Sequence, residues 1–414
     1  MSNVQTRPFV FENDLAHVKR MWREVGWVED LHGENQLDYF FSVGDTMVGT
    51  IDDVAECSVH IAPGSMRLLN TDLPLCAVTA VITSHIARGH RFAQRLTAAQ
   101  LQKGASGGAA VAVLGMFDQG FYDKLGFGIG SYDHQFAFDP ASLNVSTAPR
   151  TPTRLDHDHY AEMHKVMIQR PLHHGSVVLY PEELFRAEVG FESKAFGFGY
   201  YDDDVLTHFI WLEADGERGP YEVRWVGYQT SDQLLELLAL LKSLADQVYS
   251  VKMVEPAEVQ LQSLLQRPFR ERARTKAGKH KGYHRSHAWW QLRILDVESC
   301  VSALEWSGRE ATAFVLSVTD PVTEHLAEEL VEGAWQGISG DYVIEMGQTC
   351  TSHYGPAEDL HRLTCSVNAL SRLFWGVASA SSLAVTDGLQ APDELLKTLD
   401  AGLKLPTPHV GWEF

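Results

Sequence analysis

A chain of 414 residues is too long for one small module and, at about 150 residues per domain, has room for three domains that each bury a core. Its 45% hydrophobic, 10% aromatic and 21% charged residues exclude wholesale disorder. With 34 Lys+Arg against 54 Asp+Glu the formal charge is -20, a field that repels phosphate backbones and attracts cations, which argues against nucleic acid as a partner.

No apolar run approaches the ~20 residues that span a bilayer, and residues 1–11 lack a basic stretch followed by a hydrophobic one, so no membrane partner and a cytoplasmic location are expected. Five cysteines (Cys57, Cys76, Cys300, Cys350, Cys365) without a C-x-x-C pair support neither a disulfide framework nor a zinc ribbon and read as free, buried thiols.

Over 40–51, strand residues broken by Gly44-Asp45 predict a hairpin. The run 75–83 (LCAVTAVIT), after turn residues 70–74, is apolar enough for a central strand buried on both faces. Residues 88–103 place Phe92, Leu96, Ala99 and Gln100 at helical spacing, and the glycines of 104–108 end that helix. A second buried strand is predicted over 109–116, then a short helical stretch ending in Leu125-Gly126-Phe127. This order requires a mixed sheet with helices on its faces.

The Ser/Thr/Pro-rich stretch 140–152 reads as a linker. Beyond it, helices are predicted over 156–169 and 231–247 and strands over 195–201, 205–213 and 221–228, with no glycine-punctuated phosphate cradle. Residues 267–285 hold eight Lys/Arg and one Glu and read as a connector paired with acidic surfaces in preference to a nucleic-acid patch. A third region opens at Trp289-Trp290, with helices predicted over 357–365, 367–375 and 393–401.

Chemistry concentrates in T-A-V-I-T-S-H-I-A-R-G-H-R-F, residues 79–92. A buried strand ends, the chain turns, and Arg88-Gly89 opens a helix whose free N–H groups can hold a pyrophosphate, with Gly89 permitting close approach. After the next strand, F-Y-D-K-L-G-F (121–127) sets Tyr122 beside the first strand's end, where a phenol can protonate a departing thiolate.

In these two elements the sequence resembles the GNAT superfamily of acyl-CoA-dependent N-acetyltransferases. More narrowly, it resembles the enhanced intracellular survival (Eis) family of aminoglycoside acetyltransferases, whose third-domain signs here are W-x-L-R-I-L-D-V (290–297) and A-L-S-R-L-F-W-G (369–376). The resemblance implies a mixed α/β (α+β) fold: an N-terminal GNAT domain over 1–145 with the acetyl-CoA site, a degenerate GNAT-like domain over 146–285, and a sterol carrier protein-like domain over 286–414.

It further implies that acetyl-CoA is bound by Thr79, Ala80, Val81, Ala87, Arg88, Gly89, His90, Arg91, Phe92, Phe117 and Asp118, that Tyr122 is the general acid, and that the α-carboxylate of Phe414 is the general base. The acceptor would be a primary amine of a polycationic small molecule, met by Trp27, Glu29, Asp30 and Glu413, and the protein a homo-oligomer, a hexamer in the resembling family. Two departures stand out. Ile86 and Ala87 occupy places where the family commonly has arginines, and Phe117 replaces a serine near the pantetheine arm.

No metal is expected: in Asp156-His157-Asp158-His159 with His164 the i, i+2 spacing points the histidines apart, and helix-start aspartates have their own reason. His173-His174 and the His284/His287 pair show no carboxylate partner, and Asp202-Asp203-Asp204 reads as a turn. Two alternatives remain open at this point: transfer to protein lysine or another amine, and a lipid or small-molecule binder with a degenerate transferase site.

Overall fold

The computed structural model describes residues 3–116, 118–268, 273–326 and 335–413. Phe117 and Phe414, both expected site residues, and part of the basic segment 267–285 lie outside the described residues.

The first part runs β1 (Val4–Pro8), α1 (Phe11–Glu24), α2 (Leu31–Phe40), β2 (Asp45–Ile51), β3 (Val54–Leu68), β4 (Thr71–Thr83), α3 (Phe92–Ser106), β5 (Val111–Gly115), α4 (Gln119–Tyr122), β6 (Gly128–Ile129) and β7 (Asp133–Phe138). β1 to β5 lie side by side in that order, antiparallel except for the parallel β4–β5 pair.

Next come β8 (Thr153–Leu155), α5 (Tyr160–Gln169), β9 (Val177–Leu179), α6 (Glu182–Gly190), β10 (Ala195–Asp202), β11 (Val205–Ala214), β12 (Tyr221–Gly227), α7 (Ser231–Ser243), β13 (Val251–Val254) and β14 (Tyr283–His287). A seven-stranded sheet orders them β14-β7-β13-β12-β11-β10-β8, while β9 crosses to pair with β3. The last part is β15 (Trp290–Ile294), α8 (Val297–Ser302), β16 (Thr312–Thr319), β17 (Gly340–Met346), β18 (Thr351–Tyr354), β19 (His361–Ser366), α9 (Val367–Phe374), α10 (Ala380–Thr386) and α11 (Asp393–Gly402). It forms a four-stranded sheet, β18-β17-β16-β19, and lends β15 to the first sheet between β5 and β6. The fold is thus mixed α/β with three mixed or antiparallel sheets.

β4 is a near-continuous apolar run because both of its faces are covered. Leu73, Leu75 and Ala77 pack with Val18 and Met21 of α1, whereas Cys76 and Val78 pack with Phe92, Leu96 and Leu101 of α3. That alternation changes parity at residues 79–81. Ala80, with φ +49°, and Val81 have no partner in the ladder to β3, and Ala80 and Ile82 then join the α1 side. One extra residue in a paired strand is a bulge, and it re-aims the backbone where it occurs.

Three sequence expectations need correction. The hairpin expected over 40–51 is β2 with β3: Phe40 ends α2, and the two-residue turn is Asp52-Asp53, at φ +50° and +66°. The helix expected from residue 88 starts at Phe92, because Gly89 (φ +94°) and Arg91 (φ +57°) are both left-handed and cannot continue a helix. The helix expected over 357–365 is in its second half the strand β19, whose Leu363 and Cys365 face the core at a period of two. Among the described residues no helix is long and apolar enough to cross a membrane.

Candidate active site

β4 and β5 pair only from Leu75–Val111 to Val78–Leu114. Past that point they part: β4 carries its bulge at Ala80 and Val81, and the chain after β5 is tied away by the Met116 N–H donating to the Trp289 carbonyl at 2.8 Å. A cavity of about 780 Å³ opens at this fork. Thr79, Ala80, Val81, Gly115, Met116 and Tyr122 line one side, β12 from Glu222 to Val226 lines another, and the C-terminal stretch 409–413 crosses it.

Tyr122, only 2% exposed, sits in this wall with its ring against Phe121 and Phe127. Burial, with the nearby negative charge of Asp118, pushes its phenol well above the usual tyrosine range, so it holds its proton at neutral pH. A protonated phenol can give its proton to a leaving group, and the bulge beside it leaves Ala80 and Val81 outside the ladder to β3.

The C-terminal tail reaches the cavity through a chain of specific contacts. The His409 N–H donates to the His174 carbonyl and the Val177 N–H to the Val410 carbonyl, both at 2.9 Å, and Arg170 Nη2 donates to the Gly411 carbonyl at 3.2 Å. Trp412, 7% exposed, packs edge-on to Phe185 and Trp225 under the Arg170 guanidinium. Glu413 then faces the cavity with Oε2 3.0 Å from Arg224 Nη2.

Five carboxyls line the cavity, Asp133, Glu188, Glu222, Glu255 and Glu413, against the guanidiniums of Arg170 and Arg224. Glu222 and Glu413 pair with Arg224, and Glu255 accepts the Leu261 N–H at 2.7 Å. The side chains of Asp133 and Glu188 make neither hydrogen bond nor ion pair among the described residues. Burial pushes Asp133 up to about 7, and burial with the Glu413 charge pushes Glu188 up to about 8 despite Arg224. Burial in the cavity wall lowers Arg170 to about 10. Trp22, Trp27, Phe191, Trp225 and Trp289 supply flat apolar walls.

Of the expected residues, then, the fold gathers Thr79, Ala80, Val81, Tyr122, Trp27 and Glu413 around one cavity. Glu29 and Asp30 do not line it. Asp30 caps α2, accepting the Gly33 N–H at 2.8 Å. The turn residues lie outside the cavity, leading away from the fork. Ala87 and Phe92 are buried in the core against α3's sheet face, whereas Arg88, Gly89, His90 and Arg91 are exposed, and Asp118 is exposed before α4.

That turn suits a diphosphate. A side chain at Gly89 would meet nothing within 4 Å, the first N–H groups of the 15-residue helix α3 lack a side-chain cap, and Arg88, Arg91 and Arg95 have no ion pair among the described residues. Sequence reasoning missed Asp133, Glu188, Glu222, Glu255, Arg170 and Arg224. Only Glu222-x-Arg224 left a signal, an opposite-charge pair at the period of one strand face. Among the described residues no group of three His, Cys, Asp or Glu could hold a metal.

Comparison with known proteins agrees with this geometry. A family model for an acetyltransferase (GNAT) domain matches residues 9–130, and one for a sterol carrier protein domain matches residues 297–411. The chain therefore carries the GNAT domain of an N-acetyltransferase, a domain that implies acetyl-CoA as co-substrate, and after it a sterol carrier protein domain.

Three solved structures share its fold over the whole of both chains. They are a probable N-acyltransferase from Enterococcus faecalis V583 (TM-score 0.80, 14% identity), a GCN5-related N-acetyltransferase from Anabaena variabilis ATCC 29413 (0.78, 15%) and Eis1 from Mycobacterium abscessus (0.74, 14%). No curated protein matches it in sequence.

Proposed function

We propose that this enzyme moves the acetyl group of acetyl-CoA onto a primary amine of a cationic small molecule, of polyamine or aminoglycoside type, as the Eis-like reading of the sequence suggests. The observation that carries the acceptor class is the excess of carboxyls over guanidiniums in the cavity that Val81 and Tyr122 share. An amine arrives as an ammonium ion, is drawn in by that field, and must lose a proton before it can attack.

In this reading Thr79 to Val81 and the turn 87–92 hold acetyl-CoA, and the main-chain amides at the β4 bulge stabilise charge on the acyl oxygen. Tyr122 gives its proton to the leaving thiolate. The base expected at Phe414 lies outside the described residues. Glu188 and Asp133, raised to about 8 and about 7, are the carboxyls poised to take the amine's proton near neutrality. The five described cysteines are free and buried, which suits the reducing cytoplasm, and the homohexamer of the resembling family is the assembly that native mass measurement would test.

The test is thiol release from acetyl-CoA across a panel of aminoglycosides, polyamines, simple amines and lysine peptides. Turnover confined to small polycations supports the proposal. Tight acetyl-CoA binding with turnover only on lysine peptides, or on no amine, overturns it.

A further inference from the structure

The segment that carries Tyr122 is fastened from the far end of the chain. Asn368, near the start of α9, donates through Nδ2 to the Asp123 carbonyl at 3.0 Å and to the Phe127 carbonyl at 2.7 Å. Gln291, on β15 and fully buried, donates through Nε2 to Asp123 Oδ1 at 2.8 Å. Arg293, two residues on, donates to the Leu125 carbonyl while its other nitrogen pairs with Asp320 at 2.6 Å, both side chains wholly buried.

The L-G-F-G sequence after Tyr122 is what lets these donors in. A Cβ on Gly128 would lie 2.4 Å from the Asn368 carbonyl, and one on Gly126, at φ +82°, would lie 2.6 Å from Val367. The chain of contact ends on the phenol. Phe127, whose carbonyl Asn368 holds, packs edge-on against the Tyr122 ring, and its N–H donates to the Tyr122 carbonyl at 3.3 Å.

We propose that Asn368 and Gln291 are positioning residues for the general acid, and that the sterol carrier protein domain serves this reaction by clamping residues 123–127 so that the Tyr122 hydroxyl faces the fork of β4 and β5. The inference rests on the reading of Tyr122 as the acid. α4 is a single turn of four residues and cannot fix a side chain by its own hydrogen bonding. Three carbonyls in the following turn, those of Asp123, Leu125 and Phe127, are instead held by the side chains of Asn368 and Arg293 from outside it, and hydrogen bonds of this kind in a buried setting restrict the segment they touch.

The experiment is a double-mutant cycle on the full-length enzyme. Asn368→Ala, Tyr122→Phe and the combination are compared for kcat with acetyl-CoA and a saturating amine, with coenzyme A affinity measured calorimetrically. If Asn368 acts through Tyr122, Asn368→Ala lowers kcat about tenfold or more in the parent, less than about twofold in the Tyr122→Phe background, and leaves coenzyme A affinity unchanged.

Equal losses in both backgrounds, or no loss in the parent, overturn the clamp while leaving Tyr122 its role. A Tyr122→Phe enzyme with full kcat removes the acid itself, and the clamp with it. Should Asn368→Ala fail to melt cooperatively, Gln291→Leu runs through the same cycle with the same expectations.

Discussion

Arg224 binds the carboxylate of Glu413 at 3.0 Å, joining β12 to the C-terminal tail across the cavity. The same guanidinium reaches Glu222 at 3.4 Å, so it neutralises part of a wall that would otherwise be strongly acidic. Glu413→Gln keeps the shape of the tail and removes one of the charges that draw an ammonium ion in. The KM for a polycationic amine should rise severalfold, on the scale of about 1 kcal/mol for a half-exposed ion pair. Coenzyme A affinity should not change. An unchanged KM, measured at low ionic strength, would show that the amine does not pass this carboxylate.

Glu188 and Asp133 give the enzyme a pH signature. A base works ionised, so kcat should climb with pH through about 7 to 8, and Glu188→Gln should abolish the limb near 8 while Asp133→Asn abolishes the one near 7. The groups facing Glu188 are Glu413, which raises it, and Arg224, which lowers it.

Stability carries the same information with a fixed sign. Both carboxyls titrate higher in the folded state than in the unfolded chain, so their contribution is fully present below the ordinary carboxylate range and is lost as pH rises through 7 to 8. Glu188→Gln should therefore melt higher relative to the parent at pH 9 than at pH 5. The opposite order in calorimetry would place Glu188 in a wetter, paired setting.

The turn after β4 predicts a salt-sensitive grip on the coenzyme. Arg88, Arg91 and Arg95 stand exposed at the start of α3 in a chain of net charge -20, a local reversal of sign that suits a diphosphate. Arg88→Ala and Arg91→Ala should each weaken coenzyme A binding severalfold, about 1 kcal/mol for an exposed charged contact, and reduce its dependence on salt. Gly89→Val, at φ +94°, should weaken it through backbone strain with little change in the salt slope. Titrations at two ionic strengths separate the two effects, and an Arg88→Ala enzyme with the parent's affinity would move the phosphates elsewhere.

What the sequence made readable is what lies close along the chain. β4 and β5 announce themselves as apolar runs because both faces are covered, and the turn at Arg88-Gly89 and the tyrosine after β5 follow within one βαβ unit. Asp133 and Glu188 left no trace, because each is a lone carboxyl whose significance comes from an environment assembled by β7, α6 and a tail more than two hundred residues away. The helix expected over 357–365 gives way in its second half to β19, because parallel pairing with β16, from Phe314–His361 to Thr319–Ser366, overrides local preference. The insertion of β15 into the first sheet is equally non-local, and with it the contacts that hold the segment after Tyr122.

Trp412 tests whether the tail matters at all. Its indole fills a pocket among Phe185, Trp225 and His164 beneath Arg170, and it fixes the direction in which Glu413 leaves. Trp412→Ala should destabilise the protein by about 3 to 5 kcal/mol, the usual range for emptying a buried Trp site. It should also raise the amine KM at least as much as Glu413→Gln does, since it releases the same carboxylate. Trp412→Phe keeps part of the packing and should fall between the two. Coenzyme A binding, which the proposed site places on β4 and the turn before α3, should survive in both variants. If Trp412→Ala turns over amine with the parent's kcat and KM, the tail is packing alone, and the cavity's other carboxyls draw the amine in.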